Sequence, residues 1–249
     1  SSPVDRIQGE FESAVGQPVR YVILAARAQK TSPAAAAGLQ IEEAAVEQRL
    51  LPGDYATLRR RSQPYDAPRD DDLPAFVPQQ VLHEMTAITL DSATVETGGI
   101  LLGHLCRDLR RRQTFVEVTA QIPARHACSE STRLTFTPET WTAADAARQR
   151  RERDERFVGW WHSHPAASWA ESGEEQDLPS ADVGAGRLTG EFFSSLDCSL
   201  HRACFASAFS LALVVSDNQA MGVTTPMFGW RRGMIARRGY YVVEAQTLE

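Results

Sequence analysis

The chain has 249 residues, 43% hydrophobic and 23% charged, with a net charge of −6, which suits one large domain or one domain with a sizeable extension. The negative balance speaks against non-specific nucleic-acid binding, which needs a basic field. No apolar run approaches the roughly 20 residues of a membrane-spanning helix and no basic-then-apolar leader opens the sequence, so a cytoplasmic protein without nucleic-acid or membrane partners is expected.

The first 61 residues hold one strand-like run, "VRYVILAARA" (19–28), and a helix-like run, "LQIEEAAVEQRLL" (39–51), which "PGD" (52–54) ends. "SQPYDAPRDDDLPAFVP" (62–78) carries Pro64, Pro68, Pro74 and Pro78 among four aspartates, which reads as linker chemistry. A boundary is expected near residue 75. Residues 1–75 would form an N-terminal extension or small accessory domain, and residues 76–249 the main domain.

The main domain reads as mixed α/β. Pro78 precedes a helical pattern with Val81, Leu82, Met85 and Ile88 on one face. "GGILLGHLC" (98–106) and "TFVEVTAQIP" (114–123) read as strands joined by a hairpin tip at "DLRRRQ" (108–113). A short strand, "RLTFTP" (133–138), leads to a helix capped by Thr137, with Pro138 at its first position and Glu139 in its first turn. "RFVGWWHSHP" (156–165) and "FSLALVVSD" (209–217) read as further strands, and "MFGWRRGMIARRGYYVVE" (227–244) as a closing hairpin.

His162 and His164 stand two apart in the strand that Pro165 ends. Alternate strand residues share a face, so the two imidazoles lie ~7 Å apart along one side and can share a tetrahedral zinc. A catalytic zinc site needs a third ligand and a base as well. Glu96, in "ETGGILLG" (96–103), is a candidate general base, because Gly98 and Gly99 let the backbone approach closely. Asp197, in "FFSSLDCSLH" (192–201), is a candidate oxygen ligand. Ser194, three residues earlier, could donate to an oxyanion. Ser194 and Asp197 equally suit a helix cap.

Glu96 before a glycine-rich apolar strand, His-Ser-His-Pro (162–165) on a later strand, and Ser-x-x-Asp (194–197) together resemble the JAMM (MPN+) zinc metalloprotease family in its prokaryotic JAB-type form. The resemblance spans residues 76–244 and takes in "FVGWW", "LALVV" and the "FGWRRG" tail. It implies an α/β fold, a curved mixed β-sheet flanked by helices with layering like that of cytidine deaminases. It implies one Zn2+ per chain on His162, His164 and Asp197, with a water in the fourth position. Glu96 would take the water's proton and later deliver it to the leaving amine, while Ser194 steadies the tetrahedral intermediate. The implied reaction is cleavage of the amide bond at the C-terminus of a ubiquitin-like protein, in deconjugation or precursor trimming. The implied partners are that protein or its conjugates, with E1/E2-like enzymes of the same pathway as further candidates.

The spacing departs from the family in one place. The His-Pro to Ser interval, roughly seven residues in the family, is here 28 residues, 166–193. This insert carries Glu171, Glu174, Glu175, Asp177, Asp182 and Glu191 against Arg187 alone. It reads either as a solvated loop or as an acidic lid or substrate guide beside the zinc. Asp182 is a rival third ligand, but Asp197 has the Ser-x-x-Asp spacing and a buried strand after it.

A non-catalytic MPN-type scaffold is the alternative reading, although such relatives usually lack the zinc ligands. A nucleoside deaminase would need His-x-Glu and Pro-Cys-x-x-Cys, which are absent. His83, His104, His126 and His201 receive ordinary structural readings; His201 either supports the neighbouring ligand Asp197 or, the preferred reading, lies on a helix surface. Cys106, Cys128, Cys198 and Cys204 form no Cys-x-x-Cys pair and are expected reduced and mostly buried. Lys30 is the sole lysine among 26 basic residues. Genomic base composition explains this, or avoidance of lysine beside a lysine-modifying system.

Overall fold

The strands read at 98–106 and 114–123 do pair as a hairpin, and a larger sheet assembles around them. The computed structural model describes residues 48–92, 95–125, 128–130, 133–164, 191–218 and 222–244. Its elements are β1 (Leu51–Pro52), α1 (Tyr55–Arg60), β2 (Ser62–Tyr65), β3 (Ala75–Pro78), α2 (Gln79–Asp91), β4 (Gly98–Asp108), β5 (Gln113–Pro123), β6 (Cys128–Glu130), β7 (Arg133–Thr135), α3 (Pro138–Arg151), β8 (Arg156–His164), α4 (Ser195–Cys204), β9 (Leu211–Asn218), β10 (Gly222–Thr224), β11 (Met227–Arg231), β12 (Met234–Arg238) and β13 (Tyr240–Val243).

The main sheet runs β12-β11-β9-β8-β4-β5-β3-β13-β2, with β1 beside β4 and β10 beside β9. It is mixed: β8–β9, β3–β5, β3–β13 and β1–β4 are parallel, and the other pairs antiparallel. β4 shifts register between Leu102 and Gly103 against β5, and between Leu101 and Leu102 against β8. Such bulges bend a strand and increase its twist, and the sheet curls. The hairpin tip is built by Asp108, whose Oδ1 accepts the N–H groups of Arg110 (2.9 Å) and Arg111 (3.1 Å). The third helix starts as read, with the Thr137 hydroxyl accepting from Thr140 N–H and Pro138 at its first position.

Strand alternation in β8 sorts the core. Trp161 joins a cluster with Val81, Leu82 and Met85 of α2 and with Leu211, Leu213 and Val215 of β9. Trp160 joins another with Ile100, Phe136, Ala144, Phe205 and Ala212. Neighbours in a strand point to opposite faces, so α2 packs on one side of β8, while Ala144 of α3 and Phe205, which follows α4, pack on the other. His162 and His164 share the parity of Trp160 and emerge on that second side.

The boundary expected near residue 75 does not match the structure. One compact unit runs from Leu50 to Glu249. The segment read as linker supplies β2 and β3, and Leu51, read as helix, lies in β1. Leu51, Tyr55 and Leu58 pack against a core of Phe76, Cys106 and Phe115. The prolines are tolerated because β2 is the last strand of the sheet and Pro78 ends β3, positions that need no ladder donor. The aspartates hold arginines of the C-terminal hairpin. Asp72 grips Arg231 in a two-pronged pair (2.7 and 2.6 Å), Asp66 pairs with Arg237 and Asp71 with Arg232. The buried Arg238 donates to the Leu73 carbonyl. The tail also differs from a simple hairpin: β11 and β12 pair with each other, but β13 leaves them and inserts between β3 and β2.

The strand-like run 19–28, most of the helix-like run 39–51, His126 and residues 166–190 of the acidic insert lie outside the described residues. Among the described residues, no helix is long and apolar enough to cross a membrane. Cys106 is buried as expected, Cys198 is half-buried and Cys204 is exposed.

Candidate metal centre

The antiparallel register sets Gly98 of β4 opposite His162 of β8. One step further, Ser163 N–H donates to the Thr97 carbonyl at 2.8 Å. Thr97 N–H donates to Ser163 Oγ at 2.8 Å, and the two hydroxyls lie 2.9 Å apart. These bonds bring Glu96, which is buried, to the histidine end of β8.

His162 and His164 are both buried, with their Nε2 atoms 3.0 Å apart. Asp197 Oδ2 lies 3.5 Å from His162 Nε2, and the ligand atoms of all three residues lie within 4.8 Å of one another. Zinc bonds of ~2.0–2.1 Å in a tetrahedron set ligand atoms roughly 3.3 Å apart. The separations of 3.0 and 3.5 Å bracket that edge. Two nitrogens and a carboxylate oxygen are also a donor set that zinc accepts, so the residues fit the ion.

Asp197 reaches the cluster from the first turn of α4. Ser194 caps that helix: its Oγ accepts from Asp197 N–H (3.1 Å), and Asp197 Oδ2 accepts from Ser194 N–H (2.7 Å). Helix cap and site therefore share the same oxygen. Burial raises the proton affinity of Asp197, but His162, then His164 and the Ser194 amide, outweigh it and hold the carboxyl well below its usual range. Burial works to lower the pKa of His162. The charge and hydrogen bond of Asp197, followed by the charge of Glu96, overcome this and raise it.

Sequence reading missed the aromatic packing that holds the imidazoles. His162 Nδ1 is buried without a hydrogen-bond partner among the described residues. Its ring is held instead by stacking on Trp160, with centroids 4.8 Å apart and planes at 17°. Phe192 lies 4.6 Å from the His164 ring. Phe193 lies 6.0 Å from His162 and 5.7 Å from Trp160. His201 is not on a helix surface as expected. It is 0% exposed, and its Nδ1 accepts the Trp160 indole N–H at 3.1 Å. Burial pushes its pKa down to about 4, so it is neutral at neutral pH. Two spacings carried the signal: Trp160 shares strand parity with His162, and His201 stands four residues after Asp197 on one helix face. His104 lies within β4, its Nε2 2.9 Å from the Arg153 carbonyl oxygen. The rival ligand Asp182 is outside the described residues.

Residues 78–179 match the family model described as prokaryotic homologs of the JAB domain, the type that the sequence pattern resembles. This segment is thus similar to prokaryotic JAB domains, a family that includes metalloproteases. The matched segment includes Glu96, His162 and His164 and ends before Ser194 and Asp197. No curated protein matches the chain. A solution structure of protein DSY2949 from Desulfitobacterium hafniense aligns at 18% identity with a TM-score of 0.42, covering 70% of this chain and 95% of that one.

Proposed function

We propose that this protein is a cytoplasmic zinc isopeptidase or processing protease that cleaves the amide bond at the C-terminus of a ubiquitin-like protein. One observation carries the reading: His162, His164 and Asp197 converge within 4.8 Å beside a buried carboxylate, Glu96, whose charge is felt at His162. Zinc held by the three residues would supply Lewis acidity, lowering the pKa of water and polarising the scissile carbonyl. Glu96 accepts the proton of the attacking water and returns it to the departing amine, so one carboxylate is base and then acid. The Ser194 hydroxyl accepts in the helix cap through its oxygen, which leaves its hydrogen to donate to the developing oxyanion. Ubiquitin-like conjugates are the expected substrates, and E1/E2-like enzymes of the same pathway the expected neighbours.

The first test is elemental analysis of protein purified without chelator, followed by incubation with ubiquitin-like fusions. The expected result is one zinc per chain and cleavage after the C-terminal residue of the ubiquitin-like moiety. Protein that holds no zinc, even after zinc is added back, overturns the reading and favours the non-catalytic scaffold.

A further inference from the structure

The regular β4–β8 ladder ends at the Gly98–His162 pair, two residues short of Glu96. A hydrogen-bonded antiparallel pair exchanges two backbone N–H···O bonds. Thr97 and Ser163 make one of them, from Ser163 N–H to the Thr97 carbonyl at 2.8 Å. A side chain makes the other: Thr97 N–H donates to Ser163 Oγ, also at 2.8 Å. The two hydroxyls share a further hydrogen bond at 2.9 Å. Ser163 is completely buried and sits between the two histidines in sequence, on the opposite face of the strand.

From this geometry we infer that Ser163 is a positioning residue for the Glu96 carboxylate. It locks the Glu96–Thr97 peptide to the strand carrying both histidines, without touching metal, water or substrate. Glu96 directly precedes the Thr97 amide, so a turn of that peptide plane swings the carboxylate. Without the serine hydroxyl the Thr97 N–H loses its acceptor, and of the three Thr97–Ser163 bonds only the one at the Thr97 carbonyl, in the next peptide, remains. A base displaced by about 1 Å loses on the order of a hundredfold in rate. The inference rests on the proposed hydrolytic reading and deepens it.

The test compares zinc-loaded wild type with Ser163→Ala, Ser163→Cys and Thr97→Val. Cysteine nearly keeps the volume but is a weak acceptor, and guards against a fold collapse caused by a cavity. Valine removes only the hydroxyl-to-hydroxyl contact. The alanine and cysteine variants are expected to keep their zinc, to exchange the Thr97 amide faster, and to lose about ten- to a hundredfold in kcat at unchanged KM. Thr97→Val should stay within about threefold of wild type. Crystal structures of the zinc-loaded variants should show the Glu96 carboxylate displaced relative to His162 and His164. Unchanged kcat with the carboxylate in place overturns the inference. Loss of zinc together with rate also overturns it, because Ser163 would then be supporting the ligands rather than the base. If wild type cleaves no fusion, the hydrolytic reading fails, and the carboxylate position alone then decides the role of Ser163.

Discussion

Glu96 stands two residues before β4 and the two histidines lie on the neighbouring strand β8, and their roles separate cleanly by substitution. Glu96→Gln removes the proton acceptor but none of the three clustered ligand atoms. Zinc content should stay at one per chain while kcat falls by about 10²–10⁴-fold, read by elemental analysis beside a cleavage assay. His201 makes a different prediction, one of stability. Its pKa is about 4 in the folded protein, against about 6.5 in an unfolded chain. The unfolded state takes up the proton first as pH falls. The stabilising contribution is therefore complete above pH 6.5 and lost between 6.5 and 4, by up to about 3 kcal/mol. Protonating Nδ1 would also set an N–H against the Trp160 indole donor. Urea midpoints from pH 7 to 4 should fall less steeply for His201→Gln than for wild type. The histidine pair was visible in the sequence because strand parity is a local property. The burial of His201 was only partly visible: its place four residues after Asp197 sets it on the ligand's helix face, but the packing of that face against β8 and β11 is not a local property.

At the scale of elements, strands and helices with local signals were read nearly to their ends. The β4–β5 hairpin follows from two apolar runs around a polar tip, and α3 from a Thr-Pro-Glu start. The segment 62–78 was misread because proline and aspartate usually mean solvent, whereas here the aspartates answer arginines more than 150 residues away. Close approach explains Gly99. A Cβ there would meet the Ile122 carbonyl oxygen and, at 2.6 Å, the Trp161 indole nitrogen. Both neighbours are fixed, since Trp161 is wholly buried and its N–H donates to Gln121. Gly99→Ala should destabilise the protein by about 1–3 kcal/mol, measured by chemical denaturation. The strain falls where β4 pairs with the histidine strand, so the variant should also bind zinc more weakly than wild type.

For the molecule as a whole, the compact unit beginning at Leu50 sets where the chain can be cut. Residues 50–249 should fold and melt cooperatively. Residues 76–249 lose β1, α1, β2, the first residue of β3 and the aspartates that hold Arg231, Arg232 and Arg237, and should be largely unfolded by circular dichroism. Equal melting of the two would show that the strands before residue 75 are dispensable. The sequence could not place this limit, because the pairing of residues 62–65 with 240–243 joins the two ends of the unit, and composition reports only on neighbours along the chain.

The insertion of β13 between β2 and β3 also bears on how the protein is made. The strand that separates the unit's two early strands lies within its last ten residues. While the ribosome is still adding that tail, β3 lacks one partner and β2 has none from the sheet. Pairings this distant in sequence form slowly, and unpaired edges invite association. The nascent chain should therefore stay protease-sensitive until residues 240–243 have left the ribosome and then mature in one late step. Chains stalled before residue 240 should co-purify with chaperones, whereas chains with β13 outside the ribosome should not.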